Sequence, residues 1–240
     1  MFVEKEFYIG LRDLEKKNKL SNTALLGYLE DMGGFHSNLV GNGLNDIEKV
    51  KHTWILLGWK IKLFSRPMYT DTLKIKTWSR KMDKIYAFRD FEIFDENNTK
   101  IGIATSKWVY VNIDTGRITK TTEELENKYG TENIKVFEEE DLEKLKVPET
   151  FLAECEYKIT KDMIDINKHV HNIYFLDIAK EVIPEEVYYG NDFNYFEIMY
   201  KKEIKYGETV KCLFAEEEAY YTIVIKDKEN NIHSIIKLYK

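Results

Sequence analysis

Proline, cysteine and long apolar runs are all scarce in this chain, and each scarcity excludes something. Only three prolines and twelve glycines occur in 240 residues, against 14 % aromatics and 43 % hydrophobic residues overall, a balance that argues for extended sheet rather than coil. The two cysteines, Cys155 and Cys212, fit neither a disulfide framework nor a metal-ligand spacing. Both sit among apolar or β-patterned neighbours, as buried thiols of a reducing compartment do. No 18-residue apolar segment is present, and Met1-Phe-Val-Glu-Lys-Glu-Phe lacks the basic region and apolar run of a signal peptide. The chain therefore reads as cytoplasmic and soluble, with no membrane partner. Positive charge is also short: 36 basic against 42 acidic residues leave a formal charge of −6, so nucleic acid is not an expected partner.

What is present centres on Asp162 to Pro184. Asp165, Asn167 and His169 alternate through its first half. An apolar period of 3.6 then begins. At a helical pitch Phe175, Leu176, Ala179, Val182 and Ile183 fall within an arc of roughly 120°, with Asp177, Lys180 and Glu181 opposite. Asn172, or a residue close to it, is the expected N-cap, and Pro184 stops the segment. The same face recurs earlier. Leu25, Leu26, Leu29 and Met32, in a helix opened by Asn22, match Phe175, Leu176, Ala179 and Val182 at an offset of 150. Tyr69-Thr-Asp-Thr-Leu-Lys likewise matches Tyr206-Gly-Glu-Thr-Val-Lys at an offset of 137. An internal duplication follows.

Strand patterns fill both copies. Phe2 to Ile9, Trp54 to Leu63, Leu73 to Trp78, Ile85 to Phe94 and Lys100 to Val111 belong to the first; Tyr220 to Ile225 and Ile232 to Tyr239 belong to the second. Asp95-Glu-Asn-Asn-Thr and Asp227-Lys-Glu-Asn-Asn are hairpin turns by composition. A helix with one apolar face must be covered by a sheet. The expected fold is therefore α+β, a double hotdog in which each repeat wraps a long helix in an antiparallel sheet. The boundaries read as 1–118 for the first repeat, 119–149 for a Glu- and Lys-rich linker with one short helix, and 150–240 for the second. The acidic run Glu138-Glu-Glu-Asp in that linker reads as solvated surface.

Four separated stretches then carry a resemblance: Tyr69 to Trp78, Trp108-Val-Tyr-Val-Asn-Ile-Asp-Thr-Gly-Arg-Ile, Asp165-Ile-Asn-Lys-His-Val-His-Asn, and Tyr200-Lys-Lys-Glu-Ile. In order and spacing, from about Trp54 to about Val210, the chain resembles the acyl-acyl carrier protein thioesterase family. That resemblance implies a tandem hotdog, hydrolysis of fatty acyl thioesters without a cofactor, and one active site in the C-terminal repeat. It places the catalytic set on Asp165, Asn167, His169 and Glu203. Chain-length selection falls to the N-terminal repeat, with Leu25, Leu29 and Met32 as candidate floor residues, and Asn172 joins the substrate-contacting positions. Ile204 stands where the family often has cysteine, which removes a Cys/His thiol mechanism; His171 and Phe175 replace a common Asn and Tyr.

A departing thiolate, whose conjugate acid has a pKa of roughly 8 to 9, needs little protonation, so the site must mainly activate water and hold an oxyanion. Asp165 and Glu203 are the carboxylate candidates for the first task, with His169 as proton relay, Asn167 as orienting amide, and amides at the helix start for the oxyanion. At the matching offsets the first repeat has Glu15, Lys17, Lys19 and Arg66, so the scaffold is repeated and the chemistry is not. A metal at His169 and His171 is set aside because no third Cys or His lies near. The expected partner is acyl carrier protein bearing a fatty acyl-phosphopantetheine, met by Lys74, Lys76, Arg80, Lys81 and Lys84 or by Lys201, Lys202 and Lys205. Acyl-coenzyme A hydrolysis and acyl binding without turnover are the alternatives, and a homodimer is left open beside a monomer.

Overall fold

The computed structural model describes residues 1–138 and 142–240; Glu139 to Asp141 of the acidic run lie outside the described residues. The chain forms two compact units, Met1–Leu142 and Glu143–Lys240. In the first unit β1 (Val3–Tyr8) leads to α1 (Asn22–Leu39), the short α2 (Ile47–Val50), and the long strands β2 (His52–Leu63), β3 (Thr72–Asp83), β4 (Tyr86–Phe94) and β5 (Lys100–Asn112). A two-residue β6 (Ile118–Thr119) and α3 (Glu123–Tyr129) follow. The second unit contains β7 (Ala153–Lys158), α4 (Tyr174–Lys180), α5 (Glu185–Gly190), β8 (Tyr195–Tyr200), β9 (Thr209–Glu216), β10 (Tyr220–Lys226) and β11 (Ile232–Tyr239).

The strands within each unit pair antiparallel, and the two units share one strand order. The first runs β1-β3-β4-β5-β2 and the second β7-β9-β10-β11-β8. Each unit is a hotdog. Leu25, Leu26, Leu29 and Met32 are completely buried on the face of α1 that packs over β1 and β3, as the period of 3.6 requires. Phe175, Leu176, Ala179, Val182 and Ile183 are likewise buried in the second unit, where α4 packs on β10 and β11.

The duplication extends to single hydrogen bonds. Glu15 N donates to Lys19 O and Asp165 N to His169 O, both at 2.9 Å; Leu20 N donates to Pro67 O and Val170 N to Ile204 O, at 2.9 and 2.8 Å. The isolated bridges Lys19 to Met68 and His169 to Lys205 match in the same way. Thr70 and Gly207, which correspond, both have positive φ, and glycine takes that conformation without steric cost.

Two expectations need correction. The helix of the second unit is short: α1 has 18 residues, α4 has 7. Ser21 caps α1 by accepting from Ala24 N, whereas the matching position holds His171. The chain there enters through tighter turns, with Tyr174 N bonded to His171 O and Phe175 N to Asn172 O. Ile173, next to Asn172, stands at the N-cap, with no side-chain cap bond. The second correction concerns residues 119–137, which pack within the first unit. Tyr129 of α3 is buried there, accepting from Trp54 Nε1 at 2.8 Å and donating to Ser37 Oγ at 2.9 Å. Past the undescribed residues, Leu145 and Phe151 pack with Leu213, Val224 and Ile235 of the second unit.

Candidate active site

All four residues proposed for chemistry lie in the second unit. The loop between β7 and α4 is closed on itself by a bridge from Ile164 to Val170. Lys168 takes the left-handed conformation at its tip. Asp165 holds this loop from within: Oδ1 accepts from Asn167 N at 2.8 Å and His169 N at 3.2 Å, and Oδ2 accepts from Asn167 Nδ2 at 3.2 Å. Short polar side chains close turns in this way. The carboxylate of Asp165 and the amide group of Asn167 are thus engaged with each other rather than turned together toward a third group.

Glu203 arrives from the connection between β8 and β9. Val170 N donates to Ile204 O at 2.8 Å, and His169 bridges to Lys205, so the β8–β9 connection runs beside the loop. His169 Nε2 lies 3.4 Å from Glu203 Oε1, with the imidazole 29 % and the carboxylate 56 % exposed. The structure therefore brings His169 and Glu203 together, keeps Asp165 with Asn167 as the brace beneath, and leaves the pair open to water. Asn172 is half-buried, and its carbonyl accepts from Tyr200 Oη at 3.0 Å. Among the described residues the amides of Asn172 and Ile173 donate to no acceptor, as first-turn amides of a helix do. Among the described residues no group of three His, Cys, Asp or Glu side chains is arranged to hold a metal.

At the corresponding places of the first unit, Lys19 and Arg66 make no such pair. Arg66 donates through Nη1 to Leu20 O at 2.7 Å and through Nη2 to Asn22 Oδ1 at 2.9 Å, tying the start of α1 to its sheet. Leu25, Leu29 and Met32 are sealed in that unit's core.

One residue next to the pair gave no local signal in the sequence. His233 on β11 is buried, its Nδ1 3.2 Å from the carbonyl of Lys202. A histidine in an alternating strand looks like any other inward residue, and it stands out only beside its counterpart in the first unit, Ile101. The lysine candidates also sort by burial. Arg80 is buried against Asp90 Oδ1 at 3.0 Å, away from the surface, and Lys202 pairs with Asp227 at 3.1 Å. Lys201 and Lys205 are exposed on the connection that carries Glu203, and Lys168, not singled out by the sequence, is exposed at the tip of the loop that carries His169. No helix among the described residues is long and apolar enough to cross a membrane.

Known proteins resemble this chain in sequence and in fold. The chain is 25 % identical over 249 residues to a chloroplastic oleoyl-acyl carrier protein thioesterase of Coriandrum sativum, covering 97 % of this chain and 66 % of that protein. It is 24 % identical to oleoyl-acyl carrier protein thioesterase 2 of Arabidopsis thaliana, covering 90 % and 62 %. It thus spans just under two thirds of the length of these relatives. The fold matches an acyl-ACP thioesterase structure from Bacteroides thetaiotaomicron at a TM-score of 0.88, with 21 % identity over 99 % of this chain and 97 % of that one. It also matches the 12:0-ACP thioesterase of Umbellularia californica at 0.84, with 17 % identity over 99 % and 96 %. With the acyl-ACP thioesterase N-terminal domain matched over residues 2–129 and the C-terminal domain over 148–238, the chain belongs to the acyl-ACP thioesterase family.

Proposed function

We propose that the protein hydrolyses the thioester joining a fatty acyl chain to acyl carrier protein and releases the free fatty acid. The observation that carries this reading is the pair of His169 and Glu203 at 3.4 Å, placed on a duplicated backbone at positions where the other copy has Lys19 and Arg66. Glu203, open to solvent, accepts a proton from water as the water oxygen bonds to the acyl carbon. The C–S bond then breaks, and the proton moves from Glu203 through His169 to the departing thiolate. Proton transfer by a positioned pair of this kind contributes roughly 10²- to 10⁴-fold. The free amides of Asn172 and Ile173 are the candidate oxyanion donors in place of a long helix terminus, since α4 is too short to add much of a dipole. Asp165 and Asn167 act one step back, as the brace that sets His169.

The apolar face of α1, with Leu25, Leu29 and Met32, is the candidate floor for the acyl chain. The carrier protein, acidic on its surface, would meet Lys168, Lys201 and Lys205, which act within a Debye length of about 8 to 10 Å. The test is fatty acid release from a panel of acyl-carrier protein and acyl-coenzyme A substrates. Glu203→Gln and His169→Ala should each lower kcat by about 10²-fold or more, and Asp165→Asn by less. Wild-type turnover in both Glu203→Gln and Asp165→Asn would overturn the site. Release from coenzyme A substrates alone would change the partner, and release from none would indicate acyl binding without turnover.

A further inference from the structure

We propose that His233 is a positioning residue for Glu203. The two units turn the same corner with the same bonds. Phe64 N and Ser65 N donate to Ile101 O at 2.7 and 3.3 Å; Lys201 N and Lys202 N donate to His233 O at 2.8 and 3.3 Å. The hairpins that lead into these residues also match, since Asp95 N donates to Thr99 O and Asp227 N to Asn231 O, both at 3.0 Å. The first unit builds the corner with a buried isoleucine, so the fold itself needs no polar side chain there. In the second unit the position holds an imidazole that is only 1 % exposed. Burying a polar ring where an apolar one serves is unfavourable unless its hydrogen bond does something.

That hydrogen bond falls on the peptide entering Glu203. His233 Nδ1 donates to Lys202 O at 3.2 Å, which requires the Nδ1–H tautomer. Nε2 makes no hydrogen bond and faces Asp227 Oδ2 at 3.7 Å. Asp227 is itself fixed by Asn231, through the backbone amide and Nδ2, both at 2.8 Å, and it takes the Lys202 ammonium at 3.1 Å. Lys202 is thereby held at its carbonyl and at its side chain. On the other side of Glu203, the carbonyl of Ile204 takes Val170 N at 2.8 Å. A carboxylate that is 56 % exposed on a connection outside any strand thus stands between two anchored carbonyls. The site loop secures one of them and His233 secures the other. Such anchoring matters because a catalytic group displaced by about 1 Å can lose roughly 10²-fold in rate.

The test has an arm that needs no substrate. The nuclear Overhauser contact between the His169 ring and the Glu203 side chain, 3.4 Å apart at Nε2 and Oε1, is followed by NMR in the wild type, in His233→Ile, which installs the first unit's residue, and in His233→Asn, whose Nδ2 restores a donor. His233→Ile should weaken that contact, and His233→Asn should keep it. In the activity arm, which rests on the hydrolase reading, His233→Ile should lower kcat roughly tenfold or more with KM little changed. It should cost nothing further in a Glu203→Gln background. A wild-type His169–Glu203 Overhauser contact in His233→Ile, or losses that multiply in the double variant, would overturn the proposal. Should His233→Ile fail to fold, the ring nitrogen shifts of the wild type decide: an Nε2–H tautomer at His233 excludes the bond. If no thioester is cleaved, the NMR arm still stands.

Discussion

His36 shows what a polar side chain does when a helix turns it inward. It sits on the buried side of α1, fully covered, with Nδ1 accepting from Arg89 Nη1 at 2.8 Å and its ring edge-on to Tyr129. Nε2 has no hydrogen-bond partner. Burial first, and the Arg89 charge second, pull its pKa from 6.5 down to about 3. The ring is therefore neutral in the folded protein, while in the unfolded chain it takes up a proton below pH 6.5. Stability from this group is complete above that pH and declines as pH falls toward 3, by about 1.4 kcal/mol per pH unit. Between pH 7 and pH 5 the loss should be about 2 kcal/mol. Denaturant titrations of the wild type and His36→Asn at both pH values check it: the variant should show the smaller decline. Equal declines would assign the dependence to the carboxylates instead.

Among the elements, the strands were the most legible part of the sequence. Runs of β-branched and aromatic residues located β2, β4, β5, β10 and β11 to within a residue or two, whereas the alternation of Leu73 to Trp78 covered only the first half of β3. The helix face of α1 was equally clear. The helix length after Asn172 was not, because it depended on the absence of a serine cap at His171. The loop from Asp165 to His169 was legible as a polar cluster, yet its division into a brace and a pair could not be read from spacing alone. Glu203 reaches His169 only through the β8–β9 connection. Residues 131–137 left no periodic trace since they are held by scattered bonds, some of them to side chains, rather than by a helix or a sheet ladder. Val136 N donates to Asp90 Oδ2 at 3.0 Å, and Trp78 Nε1 donates to Ile134 O at 2.9 Å. Asp90 also accepts from Arg80 Nε at 3.0 Å and Thr105 Oγ1 at 2.6 Å. Burial pushes its carboxyl up while Arg80 pulls it down. Asp90→Asn would remove the carboxylate that the buried Arg80 guanidinium donates to, and breaking a buried pair from one side costs about 3 to 5 kcal/mol. It would also free the segment over β3 and β4. Expected outcomes are a fall in stability of that size and faster hydrogen exchange at Val136; a loss below about 1 kcal/mol would mean that water reaches Arg80.

At the scale of the whole chain, one fold has been copied and its polar positions have diverged in purpose. Arg66 and Glu203 make the point, since they occupy equivalent places after β2 and β8. Arg66 is half-buried and binds two groups at the start of α1, each a hydrogen bond from a charged donor worth about 1.5 to 3 kcal/mol. Glu203 is exposed and faces one imidazole, and exposed pairs contribute about 0 to 1 kcal/mol. If one copy uses the position to secure the fold and the other uses it for chemistry, substitutions should separate the two effects. Arg66→Ala should lower the thermal midpoint of the protein by several degrees, roughly 2 to 4 °C per kcal/mol for a chain of this size, while kcat measured below that midpoint stays near wild type. Glu203→Gln should leave the midpoint almost unchanged and remove most turnover. Calorimetry and fatty acid release on the same preparations decide. A large loss of kcat in fully folded Arg66→Ala, or a large fall in midpoint in Glu203→Gln, would show that both copies of the position serve the same end.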